Sequence, residues 1–323
     1  MRGIACLLMA FAAAAGAEPF SEAEVRAILA HGPWPMPGTS DPRNAASGRR
    51  EAIELGQRLF FDTRLSAEGR FSCATCHVPE RNWTDNRTRG VAAAEVERNT
   101  PTLMNLRLGA RFGWDGKGEN LWKQSIRPLL DRRELGASAA HIAKLVRSDE
   151  QLACRYRKIF GHEAPASDDA TVLENVGKVL AAFQETFETP PTPFDRFRDS
   201  LARGQPSTYS DAARRGLRTF VVNCSSCHSG PNFSNGELRD NGFTAEGAFK
   251  VPTLRHLMLT APYGHHGKIE TIGDAVRHYS ERGSAALPPL KLSAAQQTDL
   301  VVFLESVSTM SNPRRPEDHA TCR

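Results

Sequence analysis

The chain has no long block of lysine or arginine, and its formal charge of +4 is spread along 323 residues. A nucleic-acid groove is therefore not indicated, although a weakly basic face toward an acidic protein partner stays open. Beyond the N-terminus no apolar run is long enough to span a bilayer. Alternating apolar and polar residues, the mark of half-buried strands, are scarce. Histidine is missing between His77 and His141, and none of the four tryptophans (Trp34, Trp83, Trp114, Trp122) lies in the second half. With 40% hydrophobic and 24% charged residues, the composition suits a packed core, and the length suits two domains.

Residues 1–17 read as a secretion signal. MRG is the positive n-region, IACLLMAFAAAA the apolar stretch, and Ala15-Gly16-Ala17 the small-residue cleavage site before Glu18. A membrane anchor is the competing reading, but the run is too short to span. Export bears on the seven cysteines. Cys6 leaves with the signal, four lie in two repeated motifs, and Cys154 and Cys322 remain. In an oxidising compartment these two form either a disulfide or two unrelated thiols, and the sequence leaves both open.

The pattern along the chain is helical, and the expected fold class is all-α with long connecting loops. Ser21 and Glu24 make a capping box before EVRAILA. EAIELGQRLFF places Ile53, Leu55, Leu59 and Phe60 near one face, and a long amphipathic helix is expected to carry Val172 through Phe187. TIGDAVRHYSERG reads as a short helix closed by Gly283, and Ser293 caps the last helix. The clearest linker is TPPTPF at 189–194, whose prolines cannot continue a helix. It divides the chain into 18–190 and 191–323. The halves suggest two similar modules but differ too much in sequence to be called a repeat.

Each half holds one Cys-x-x-Cys-His pentad: CATCH at 73–77 and CSSCH at 224–228. This is the attachment pattern of c-type haem, in which both thiols bond the porphyrin and the histidine lies under the iron. A thioredoxin-type pair needs no histidine after the second cysteine. A zinc site wants its cysteine pairs close in sequence, and these are about 150 residues apart. Two covalent haems are expected, on Cys73, Cys76 and His77 and on Cys224, Cys227 and His228. An open iron position does chemistry and a filled one carries electrons. Met104, Met258, Met310 and the remaining histidines are all conceivable far-side ligands.

The residues around the pentads run in a fixed order: LFFDTRLSAEGRFSCATCH, ERNTPTLMNL, FGWDGKGENLWKQSIRPLLDRRELG, CSSCH, TAPYGHHG and DAVRHY. Over nearly the whole mature chain this resembles the bacterial dihaem cytochrome c peroxidase and MauG superfamily. The resemblance implies two cytochrome c-like haem domains, a peroxide-reactive one at 18–190 and an electron-transfer one at 191–323, in a periplasmic protein. It implies that Trp114 lies between the haems, that Gln124 and Glu134 are distal polar residues over the first haem, and that Pro128 belongs to the same segment. Asn99, Thr260 and Pro262 match a calcium site of oxygen ligands. His265 matches a family histidine near the second haem. A carboxylate such as Glu134 can carry a proton between the two oxygens of peroxide, Gln124 can orient peroxide, and an aromatic such as Trp114 can relay an electron hole.

Two departures from the typical peroxidase set the expected branch. Where the peroxidases close the first haem with a histidine, this chain has Val91, so the first haem is expected to be open. Where they place an axial methionine, this chain has Tyr279, as in MauG-like proteins. An anionic phenolate favours oxidised iron. A core role beside Ile272 and Val276 is the alternative for Tyr279, and His278 is the rival ligand, turned about 100° away on a helix. The implied activity is MauG-like: H2O2, or O2 with electrons, forms a high-valent dihaem state that oxidises a protein, as in quinone-cofactor maturation of the methylamine dehydrogenase precursor. The alternatives are a peroxidase fed by a small redox protein (a cytochrome c or cupredoxin) and a dihaem electron carrier. Val222, just before CSSCH, stands where a surface aromatic relay might be sought.

Overall fold

Short polar caps and apolar faces one helical turn apart generate nearly all the regular structure. The computed structural model describes residues 18–38, 40–165, 168–284, 287–309 and 322, so the secretion signal and Met310 lie outside the described residues. The Ser21 hydroxyl accepts the Glu24 N–H at 3.3 Å and the Glu24 carboxylate accepts the Ser21 N–H at 2.7 Å, starting α1 (Glu22–Leu29). In α2 (Arg50–Phe60) the buried positions are Ala52, Leu55, Gly56, Leu59 and Phe60. The face thus turns on Ala52 and Gly56, and Ile53 is only partly buried.

The first pentad forms the single turn α3 (Cys73–Cys76), after which a long loop runs to α4 (Leu121–Leu130). Then come α5 (Ala139–Ser148), α6 (Glu150–Phe160) and α7 (Asp169–Gln184). The expected helix through Phe187 stops at Gln184; Phe187 is still buried, in the turn beyond. The proline-rich stretch is no loose tether. Thr189 donates its N–H to Asn105 Oδ1 at 3.0 Å, and Thr192 caps α8 (Pro193–Ala202), so Pro193 opens a helix where its missing N–H costs nothing. The rest is α9 (Asp211–Asn223), a hairpin of β1 (Leu238–Arg239) against β2 (Phe249–Lys250), α10 (Ile272–Glu281) and α11 (Ala294–Ser306). The molecule is helix-rich, with this one two-stranded sheet among the described residues.

Among the described residues two large apolar clusters, with a small third one of Phe112, Leu121, Trp122 and Ala181, hold the chain together. One is drawn from residues 46–187; the other joins Ile28 of α1 to residues 194–307. They are built alike. α2 crosses α7 at Gly56, where a Cβ would stand 1.9 Å from the Val179 carbonyl oxygen and 2.9 Å from Phe183 Cβ. α9 crosses α11 at Gly216, where a Cβ would stand 1.9 Å from the Asp299 carbonyl oxygen and 2.9 Å from Phe303 Cβ. Only glycine lets backbones approach so closely. Each crossing carries the helix leading toward a cysteine pentad. Cys154 and Cys322 form a disulfide that ties the C-terminal end to α6 across 168 residues.

Candidate haem-binding active site

Both pentads open into one connected cavity of about 1270 Å³. That exceeds the roughly 1,000 Å³ upper end of pockets for a single small ligand. The first turn is set by the Ser72 N–H, which donates to Thr75 Oγ1 at 3.0 Å, and by the His77 N–H, which donates to the Cys73 carbonyl at 2.9 Å. The second pentad repeats the latter bond, from His228 to Cys224, also at 2.9 Å. All four cysteines are free thiols. Burial pushes the Cys73, Cys76 and Cys224 thiols up to about 12.

Each pentad histidine is oriented in the same way. His77 Nδ1 donates to the Trp83 carbonyl at 2.9 Å, and His228 Nδ1 donates to the Phe233 carbonyl at 3.0 Å. Trp83 and Phe233 both hold positive φ, at 60° and 50°, which turns their carbonyls inward. Burial lowers the pKa of both histidines, His228 to about 4, so each imidazole is neutral with Nε2 as its free ligand atom. A carbonyl fixing the far nitrogen is the usual outer support of a metal-bound histidine.

From these histidines onward the halves match at a nearly constant offset. Thr102 donates to the Asn82 carbonyl at 2.8 Å, and Thr253 to the Asn232 carbonyl at 2.7 Å. Asn105 and His256 are both left-handed, at φ 62° and 59°. Bridges pair Phe112 with Gly118 and Tyr263 with Ile269. GWDGK at 113–117 thus corresponds to GHHGK at 264–268, and α4 to α10. From the pentads to α4 and α10 these backbone features recur in the two halves. The sequence concealed the match because beyond the pentads mainly turn residues were kept: PTL at 101–103 and 252–254, and the two G-x-x-G-K loops.

The same offset pairs Trp114 with His265 and Pro128 with Tyr279, each separated by the same 151 positions as the pentads. Trp114 and His265 meet edge to face, ring centres 6.3 Å apart. The Trp114 indole N–H donates to the Asn99 carbonyl at 2.8 Å, and the Asn99 N–H donates to the His265 carbonyl at 2.9 Å. The His265 ring stacks on Phe249 at 3.5 Å, and burial holds its pKa near 4.

In α4, Leu121, Gln124, Ser125 and Pro128 face the cavity at one-turn spacing. Gln124 Oε1 accepts an Arg127 N–H at 3.1 Å, which leaves its amide NH2 free to donate. The GWDGKG loop makes room for it: a Cβ at Gly118 would stand 2.7 Å from Gln124 Oε1. Glu134 also lines the cavity, and burial, reinforced by Asp131, pushes its carboxyl up to about 7. Its segment is bonded to the Val91 loop, Ala94 N–H donating to the Arg133 carbonyl at 2.8 Å. Val91 itself is 37% exposed and its neighbour Ala92 faces inward. Among the described lining residues of the first half, the only histidine is His77.

In α10, Ile272, Ala275, Val276 and Tyr279 face the cavity. His278 is turned out of it, 2.9 Å from the Asn241 carbonyl. The Tyr279 hydroxyl feels Cys224 and Cys227, and burial pushes it up to about 12. It therefore keeps its proton unless a metal cation draws it off. Met104 lines the cavity three residues past Pro101, whose carbonyl bonds His77. Met258 is 39% exposed and off the cavity wall. Val222 is 82% exposed on the last turn of α9. Asn99, Thr260 and Pro262 line the cavity together, with Asn99 Nδ2 donating to the Arg87 carbonyl at 2.7 Å.

Two free thiol pairs, two neutral histidines fixed from behind and one cavity wide enough for more than one macrocycle fit a pair of c-type haems. The comparisons with known proteins agree. Residues 50–203 match the family profile of di-haem cytochrome c peroxidases. The chain is 33% identical over 284 residues to the methylamine utilization protein MauG of Methylorubrum extorquens, covering 80% of this chain and 78% of that one. It is 31% identical over 258 residues to the cytochrome c551 peroxidase of Nitrosomonas europaea, covering 73% of each. Among solved structures it superposes on a MauG-like protein associated with microbial copper homeostasis at a TM-score of 0.72, with 24% identity over 88% of this chain and 97% of that one. For the diheme peroxidase BthA of Burkholderia thailandensis the TM-score is 0.65, with 20% identity over 86% and 91%. The fold and site define a dihaem redox enzyme of the peroxidase type. The chain belongs to the di-haem cytochrome c peroxidase and MauG family.

Proposed function

We propose that the chain is a periplasmic MauG-like oxidoreductase of two cytochrome c-like modules, divided near residue 190, that reacts with H2O2 and oxidises a protein partner. One observation supports this reading: Pro128 of α4 and Tyr279 of α10 line the cavity at equivalent positions, 151 residues apart like the pentads. Proline has no ligand atom, so Pro128 would leave the first haem open to peroxide, and Tyr279 would offer its phenol oxygen to the second. Cys73, Cys76 and His77 would hold one haem and Cys224, Cys227, His228 and Tyr279 the other; when bound, the haems would supply O–O bond cleavage and storage of oxidising equivalents.

The chain's own residues do the rest. Glu134, with a carboxyl pKa of about 7, accepts a proton from one peroxide oxygen and returns it to the other at neutral pH. The free Gln124 amide donates to bound peroxide and orients it. Trp114, pinned by Asn99, sits between the two sites as the relay. Calcium bound by oxygens of Asn99, Thr260 and Pro262 would brace the junction of the halves, and chelation would then loosen it. No helix among the described residues is long and apolar enough to cross a membrane. The MauG resemblance makes the methylamine dehydrogenase precursor the first protein substrate to try.

The test is addition of peroxide to the fully ferric protein. A long-lived oxidised form without prior reduction is the expected result. A need for pre-reduction would move the assignment to a peroxidase fed by a small redox protein, as the 31% identity to a cytochrome c551 peroxidase allows. Two six-coordinate haems with no high-spin ferric signal would leave an electron carrier.

A further inference from the structure

Lys250 has no part in the chemistry above. It ends β2, and its N–H donates to the Trp114 carbonyl at 2.9 Å, so its backbone is anchored beside the proposed relay. Its side chain lines the shared cavity. Four arginines on the same wall have acidic partners: Arg98 with Glu246 at 2.6 Å, Arg127 with Asp115 at 3.4 Å, Arg133 with Asp131 at 3.0 Å, and Arg239 with Glu237; Arg111 and Lys117, which also line it, are exposed to water, whereas Lys250 is partly buried. Among the described residues the Lys250 ammonium has no ion pair and no hydrogen bond, and burial alone acts on it, drawing its pKa down to about 8. Its charge is felt by His228, which places it on the side of the second pentad.

Lys250 is partly buried, and an ammonium shielded from water without an anion is an unfavourable arrangement; such groups are paired or lose their proton. The missing anion must therefore come from what fills the cavity, and the porphyrin of a c-type haem carries two carboxylate side chains. Resting on the dihaem reading, we propose that Lys250 pairs with a porphyrin carboxylate of the haem attached at Cys224 and Cys227. Its role is positioning and tuning: a cation at that edge offsets the carboxylate charge, makes reduction of the second haem easier, and fixes the macrocycle against the Trp114 loop.

The experiment uses the holoprotein and the variants Lys250→Met, Lys250→Gln and Lys250→Arg. Haem is counted per chain, and both reduction potentials are measured by spectroelectrochemistry. Loss of the cation should lower one of the two potentials, shifting that haem's reduction equilibrium about tenfold, ~59 mV for one electron. Lys250→Arg should stay near wild type. Selective loss of the second haem in the neutral variants, with retention in Lys250→Arg, would support the pairing equally. Should Lys250→Met fail to accumulate, Lys250→Gln decides. Both potentials unchanged in the neutral variants, or an arginine variant displaced as far as the glutamine one, overturns the pairing while leaving the dihaem reading intact. A wild-type count other than two haems overturns both.

Discussion

Glu134→Gln removes one ionisable group from the cavity and nearly nothing else. Burial raises the carboxyl from its ordinary 4.5 to about 7. At pH 7 it is therefore about half ionised, and at pH 6 about one-tenth. If the ionised form takes the proton of peroxide, peroxide consumption should fall about tenfold per pH unit below 7. Glutamine cannot accept that proton, so the variant should lose roughly 10²- to 10⁴-fold in rate and its acidic limb with it. Stability supplies an independent check. The folded state holds this proton more tightly than the unfolded one, so the stabilisation is fully present below pH 4.5 and is lost as pH rises through 7. The interval from 4.5 to about 7 corresponds to about 3 kcal/mol. Water reaching the cavity screens the charge, so about 1–2 kcal/mol is the working figure. The glutamine variant should accordingly gain on wild type in urea midpoint between pH 5 and pH 8. A variant that keeps the limb near pH 7, or consumes peroxide within about twofold of wild type, would remove Glu134 as the proton carrier.

Three further outcomes follow from the same geometry. Pro128→Tyr copies the second half into the first; it should block peroxide at the open site by at least about 100-fold while leaving the helix as stable or more so, and full reactivity would refute the repeat equivalence. Tyr279→Met should abolish the long-lived oxidised form produced by peroxide; normal modification of the partner by that variant would show that the phenol does not serve the second haem. Cys154→Ser opens a crosslink over 168 residues, worth roughly 5 kcal/mol by chain entropy, so its unfolding midpoint in urea should drop sharply, and an unchanged midpoint would mean the tie does not restrain the unfolded chain.

Much of the fold was legible because its signals are local. The Ser21–Glu24 box, the Ser293 cap and the helical spacing of apolar residues each depend on neighbours within one or two turns. The two pentads were legible for the same reason, since attachment chemistry needs a fixed short spacing. The boundary of α7 was not, because Phe187 keeps the apolar rhythm while standing in the turn that buries it. The 189–194 stretch was read as a linker from its prolines, yet Asn105 and Asp195 hold its threonines in the interior. Ile28 lies near the start of the chain, but its core partners come from residues 194–307. The correspondence of the halves escaped because equivalent turns tolerate different side chains so long as the backbone bonds are kept.

By itself, the sequence determined that the chain builds helices and carries two haem-attachment sites, since both follow from residue types at short spacing. Only the tertiary structure decided that the pentads share one cavity, that Tyr279 rather than His278 faces it, and that Pro128 stands at the matching place in the other half. It also decided that Cys154 and Cys322 are joined and that Lys250 lines the cavity with no anionic partner among the described residues. The physical reason is the same in each case. Which face of a helix meets a cavity, and which charge is stripped of water, depends on segments more than 100 residues apart being packed together.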